Sequence, residues 1–245
     1  EMQRSLVGSE MCIRDSYSTA HAWTNSVSVE SAGETASVRL SYTNVNSDDV
    51  MLKQNEMNRN ILNLRATLRP TKKLWFDVGV RYTNEKVENR NQRNASKLNP
   101  LYAAAWMPRD ITWAELDPWK NPDGTLVAFP GGFVNPLWCL NEISNEDEKN
   151  WILADVTLNY EIMKGLKLRL RAAVDYNQKN GYEFVNMYGG PEVEKNDGKY
   201  KEFSENYKNM TYEALLSYDK RWKDFNLSAS IGATAQDYTF KKINS

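Results

Sequence analysis

The side chains that most often do chemistry are scarce in this sequence. There is one histidine, His21, and there are two cysteines, Cys12 and Cys139. A single imidazole builds neither a His-based triad nor a zinc cluster. Glu146, Asp147 and Glu148 set three carboxylates in a row. Such a run is raw material for an acid–base pair or a calcium site, but its plainer reading is a solvated loop. No Walker-type phosphate loop and no Gly-rich dinucleotide turn is present. These residues point away from catalysis, and no metal or other cofactor is expected.

The concentration of aromatic rings is more informative. Trp106, Trp113, Trp119, Phe129, Phe133 and Trp138 all fall between Glu85 and Asn150. Rings of this size stack on a sugar or seat a partner protein. They also pack on one another, forming a small core that lets a long connection fold. Both readings stay open from the residues alone. Within the stretch, "NPDG" (Asn121–Gly124) has turn chemistry, with Pro presetting φ and Gly closing the turn, and predicts a small hairpin from Trp119 to Phe129.

The elements around that stretch alternate with a period of two. In "LKLRLRAAVDY", Leu166, Leu168, Leu170, Ala172, Val174 and Tyr176 face one way, while Lys167, Arg169, Arg171 and Asp175 face the other. The same pattern predicts strands at Leu62–Arg69, Leu74–Tyr82, Ile152–Ile162 and Phe225–Ala233. Weaker versions run through Val38–Tyr42 and Tyr212–Tyr218, and a short opening strand at Thr24–Glu30 makes about eight. Tight turns are expected at "SAGE", "PTKK", "MKG" and "KRWKD". Between these hairpins lie long stretches at Asn46–Met57, Glu85–Asn150 and Lys179–Asn206. Short turns on one side and long loops on the other are the signature of an outer-membrane barrel.

Period alone does not say which face is wet. A soluble sandwich buries its apolar face, whereas a membrane barrel turns it to lipid. Length favours the membrane, because soluble strands run mostly 5–6 residues and barrel strands need ~9–11. Aromatics also gather at the strand ends. Trp75, Trp222, Tyr160 and Tyr218 lie near the short turns; Tyr82, Trp151, Tyr176, Tyr207 and Tyr238 lie near the long loops. Two such belts are expected at lipid–water boundaries. The polar face carries Arg65, Arg81, Arg169 and Arg171 against Asp77, Asp155, Asp175 and Glu213. Mixed signs of this kind pair across strands or with a plug. The expected fold is an all-β, antiparallel transmembrane β-barrel fragment, with short periplasmic turns and long extracellular loops.

Composition agrees. Lys and Arg number 31 against 32 Asp and Glu, so no global field attracts nucleic acid. No apolar run approaches the ~20 residues of a membrane helix. Residues 1–16 include "SLVGSEMCIRDS", which resembles a translated sequencing-adaptor read-through and is treated as a non-native leader. The barrel segment is then 17–245, and Cys139 is its only cysteine.

Four stretches together carry a family resemblance: "VSVESAGETASVRLSYTN", "NRNILNLRATLRPTKKLWFDVGVRYTNEKVENR", "WKNPDGTLVAFPGGFVNP" and "NYEIMKGLKLRLRAAVDY". In this order they resemble the TonB-linked outer-membrane transporters of the SusC/RagA type. The resemblance implies a plugged barrel of about 22 strands in the cell outer membrane, powered through the TonB complex. It also implies a SusD-like surface lipoprotein as partner and an oligosaccharide or peptide as ligand. Eight strands are too few to close such a barrel, and no plug domain or TonB box is read, so the resemblance covers part of the wall. A passive porin-like channel and a soluble all-β carbohydrate-binding or adhesive module are the alternatives.

Overall fold

A computed structural model describes residues 17–51, 54–90, 96–108, 111–127, 134–187 and 198–245. Residues 1–16, expected above to be a non-native leader, lie outside the described residues, as do Phe129 and Phe133. Eight strands form one antiparallel sheet in chain order. They are β1 (Ala22–Ala32), β2 (Ala36–Ser47), β3 (Glu56–Thr71), β4 (Leu74–Glu88), β5 (Ile143–Met163), β6 (Leu166–Val185), β7 (Lys199–Trp222) and β8 (Phe225–Asn244). All four tight turns are where the sequence places them. In the β5–β6 turn, Gly165 takes φ 88°, a conformation that suits a residue without Cβ.

The strands outrun the alternation that announced them. β6 has 20 residues and β7 has 24, about twice what a bilayer needs. The long loops shrink accordingly, to 48–55, 89–142 and 186–198. Above the apolar stretch both faces of the sheet are polar, so a period-two hydrophobic signal is lost although the pairing continues. Glu146, Asp147 and Glu148 therefore belong to β5, not to a loop.

Register sorts the side chains into rows. On one face, Phe76, Leu158, Leu170 and Ala214 align across β4–β7, with Val78, Val156, Ala172 and Tyr212 beside them. This apolar band spans Leu74–Tyr82, Ile152–Ile162 and Leu166–Tyr176, which is the bilayer-crossing length. Among the described residues nothing covers it: Leu62, Leu68, Val156, Leu170, Leu216 and Ile231 are all exposed. The fully buried side chains lie in the loops instead. A soluble two-layer domain would have packed a second layer onto this face.

The register also corrects the belts. Tyr42, Leu62, Tyr82, Ile152 and Tyr176 form one row at the outer edge of the band. Tyr160, Tyr218, Trp222 and Phe225 mark the turn edge on the same face. Trp75, Trp151, Tyr207 and Tyr238 do not belong to either belt. Each is one residue out of phase with the apolar positions, so each lies on the polar face.

On that polar face charges pair between strands. Arg65 on β3 reaches Asp155 on β5 (3.7 Å) across Gly79 on β4. A Cβ at Gly79 would lie 2.5 Å from Arg65 Nη1 and 2.9 Å from Asp155 Oδ1. The glycine makes room for a bridge that spans three strands. Arg171 meets Glu213 at 3.4 Å, and Asp77 accepts from Thr67 (2.9 Å) and Asn159 (3.1 Å).

Candidate functional site

The connection between β4 and β5 folds into a small lid on the outer ends of β5 and β6. Its described residues hold two short helices, α1 (Pro100–Ala105) and α2 (Pro136–Glu142). Both begin with Pro after an Asn cap, whose side chain accepts from the backbone N–H two residues on (3.0 and 2.9 Å). A single 3₁₀ turn, Trp113–Leu116, is closed by Glu115 reaching back to the Thr112 N–H at 2.6 Å. The NPDG hairpin is present: Lys120 bridges Leu126, and Gly124 takes φ 89°.

The lid has a true core. Val134, Trp138, Cys139 and Val185 are buried, with Leu98, Trp119, Leu126 and Ile143 packed around them. Burial pushes the Cys139 thiol up to about 12, so it stays protonated and inert at neutral pH. Glu142 ties the parts together, accepting from Trp119 Nε1 (3.0 Å) and Lys120 Nζ (2.8 Å), and from the Asn186 side chain. Burial works to raise its pKa. The bonds from Lys120, Trp119 and Asn186 prevail and hold it below the usual carboxylate range.

A depressed folded-state pKa adds stability above the unfolded value, and the gain is lost as pH falls through the folded value. Hydrogen exchange of Trp119–Leu126, corrected for the intrinsic rate, should therefore rise as pH drops below the ordinary Glu value of 4.5. In Glu142→Gln the same segment should exchange faster at neutral pH, with no acid step. A flat pH profile in the unsubstituted protein would contradict this.

The six rings of the sequence reading fare differently. Trp138 is fully buried at the centre of the lid core, with no surface to offer. Trp119 is half-buried against that core, and Trp113 is half-buried on the 3₁₀ turn. Trp106 follows α1, is 59% exposed, and lies 6.2 Å from the Tyr102 ring. Of the four described rings, it presents the most surface.

A second feature escaped the sequence reading. Below the lid, the polar face forms an open cleft of about 530 Å³ lined by Glu85, Arg90, Asp147, Trp151, Lys179 and Tyr207, among others. That volume is in the range of ligand sites. Arg90 grips Asp147 with two parallel bonds, at 2.7 and 3.0 Å. Its guanidinium is held above its ordinary pKa chiefly by that carboxylate. Lys179 approaches the same carboxylate at 3.4 Å, and Arg59 pairs with Glu85 at 2.6 Å. The Trp151 indole donates to Asp175 (2.7 Å) under the Lys149 ammonium, which is 4.7 Å from its ring. Asn177 Oδ1, in the Trp151 row, is buried with no hydrogen-bond partner among the described residues. The cleft thus offers both signs of charge and an aromatic floor. Its signal in the sequence was phase: Glu85, Asp147, Lys149, Lys179 and Glu205 continue the polar-face positions beyond the apolar band.

No protein-family model and no curated protein matches this sequence. Solved structures do match in fold. The RagAB peptide importer in its "closed-closed" and "open-open" states superposes with TM-scores of 0.75 and 0.76, each at 13% identity. The RagAB peptide transporter superposes with 0.76 at 14% identity. Each alignment covers 96% of this chain and 26% of the solved chain. The chain spans about a quarter of the length of those proteins, and its eight-stranded sheet has the fold of that quarter.

Proposed function

We propose that this chain is a wall segment of a TonB-linked outer-membrane transporter of the SusC/RagA type. The observation that carries the reading is the apolar band, uncovered across the sheet and ending on one row of tyrosines. In this reading the band lies in the lipid of the outer membrane, the charged face lines the lumen, and the lid stands on the extracellular side. The chain binds and passes cargo and does not catalyse a reaction. The fold likeness to the RagAB importer supports the family resemblance carried by the sequence. A SusD-like lipoprotein is the proposed partner, with Trp106 as a contact, and TonB supplies the energy.

Of the two cargo classes, the cleft favours peptides. A peptide brings both signs of charge to the cluster of Arg90, Asp147 and Lys179. A neutral oligosaccharide brings no charge to exchange with those side chains, which already pair with one another.

The test replaces residues 96–142 with a short Gly/Ser linker in the intact protein. Arg90 and Asn145 stay in place and keep their mutual bonds, with the Arg90 N–H to Asn145 Oδ1 at 2.8 Å and Asn145 Nδ2 to Arg90 O at 3.0 Å. The barrel should still fold and fractionate with the outer membrane, because loop length carries little closure entropy. Peptide uptake and co-purification of the lipoprotein should be lost. Uptake and co-purification at the original level would refute the role given to the lid. Recovery of the protein in the soluble fraction without detergent would favour the soluble module.

A further inference from the structure

Asparagine is a poor strand former, yet it takes six places in one row of this sheet. Directly above the tyrosine row, on the same face, lie Asn25, Asn44, Asn60, Asn84, Asn150, Gln178 and Asn206, one from each of seven successive strands. The tyrosines are fastened to it: Tyr42 donates to Asn60 Oδ1 (2.7 Å), Tyr82 to Asn150 Oδ1 (2.6 Å) and Tyr176 to Asn206 Oδ1 (3.3 Å).

At β2–β3 the amides close into a ring. Asn44 donates to Asn60 (2.9 Å), Asn60 to Asn58 (2.9 Å), Asn58 to Asn46, and Asn46 back to Asn44 (2.7 Å). Each member spends one N–H and one lone pair on the ring, and each keeps a second N–H. The orientations are fixed before any ligand arrives, which lowers the entropic cost of binding. Trp23 sits in the register row of Asn46 and Asn58, with its indole 70% exposed. Trp23, Asn46 and Asn58 line a cleft of about 550 Å³ on this outward face. The same cleft is lined by His21 and by the carboxylates Asp48, Glu56 and Glu88, and its lysine, Lys86, is already held by Glu88 (2.9 Å) and Glu146 (3.1 Å).

We infer that the amide ring and Trp23 form a saccharide site whose occupant is the sugar headgroup of an outer-leaflet glycolipid. Amide donors and acceptors beside an exposed indole face, with Asp48, Glu56 and Glu88 around them, suit a polyhydroxyl ring better than a phosphate. The source follows from position: the site is continuous with the apolar band and lies just beyond its tyrosine edge, where a lipid held against the band carries its headgroup. The inference rests on the orientation proposed above, with the band in lipid.

The experiment uses native mass spectrometry of the intact protein in detergent. Three probes are offered: a dephosphorylated lipid A-type glycolipid, its free oligosaccharide, and phosphatidylglycerol. The glycolipid should be retained at least about tenfold more strongly than either other probe. Trp23→Ala, and separately Asn58→Leu, should each lower its retention about tenfold with the heat-modifiable folded band unchanged. Because Asn58 is exposed, its loss does not open a core. Equal retention of glycolipid by both variants would overturn the site, and equal binding of the free oligosaccharide would overturn the lipid source. Preference for phosphatidylglycerol would overturn the sugar chemistry. A protein that never enters the membrane fraction would instead overturn the orientation itself.

Discussion

Leu170→Arg should cost about 2–4 kcal/mol of folding stability in the membrane, because a cation near mid-bilayer on the lipid face is poorly solvated. Leu170 is 41% exposed and sits centrally in the apolar band, in the row of Phe76, Leu158 and Ala214. Its neighbour Arg169 belongs to the opposite face, opposed by Asn159 and Leu215. Arg169→Leu places an apolar side chain on a wet wall, where single exposed leucines are common and cheap. The two substitutions exchange the same pair of residue types at adjacent positions, so composition and strand propensity are closely matched and orientation is the variable. The measurement is the heat-modifiable mobility shift in detergent, titrated with urea. A midpoint loss confined to Leu170→Arg is expected. Equal losses would remove the distinction between the faces.

Trp138→Ala should cost the lid about 3–5 kcal/mol, the usual penalty for emptying a large aromatic site in a core. Trp138 is fully buried, and the lid core is small, with few side chains to collapse into the gap. The loss exceeds what a mini-domain of this size can spare. The sheet does not depend on it, since β4 and β5 pair from Leu74↔Tyr160 to Glu88↔Glu146 without the lid. Limited proteolysis should therefore cut within 97–142 in the variant and leave the heat-modifiable barrel intact. Trp106→Ala serves as the control and should leave the lid protease-resistant, because its ring is largely outside the core. Resistance of Trp138→Ala would show that the lid is held by something other than its core.

The sheet was legible because its strands declare themselves twice, by alternation and by length. Its eight strands, its order and its four turns follow from residues such as Leu166–Tyr176 and the "MKG" turn. The upper halves of β5, β6 and β7 were not legible. There Glu146, Asn180 and Glu202 face outward while Asp147, Lys179 and Glu205 face inward, and two polar faces give no hydrophobic period. The cleft was missed for the same reason, being built on those upper halves. Nearness to strand ends predicts two belts, and phase overrules it for Trp75, Trp151, Tyr207 and Tyr238. In the lid, clustering alone did not separate Trp138 from Trp106. Burial depends on long-range partners such as Val185, which lies far along the chain.

In the proposed orientation one face of this sheet lies in lipid and the other in water, up to the row of Tyr82 and Tyr176. Site-directed spin labels along Leu166–Asn180 of the membrane-inserted protein test it directly, each scored for collision with oxygen and with an aqueous nickel chelate. Labels at Leu166, Leu168, Leu170, Ala172 and Val174 should be open to oxygen and closed to the chelate. Labels at Lys167, Arg169, Arg171, Ala173 and Asp175 should be open to the chelate, and the contrast should end at Gln178 and Asn180, where the chelate reaches both. Even-numbered positions that admit the chelate, or that are shielded from both reagents by a covering layer of protein, would contradict the lipid-facing band.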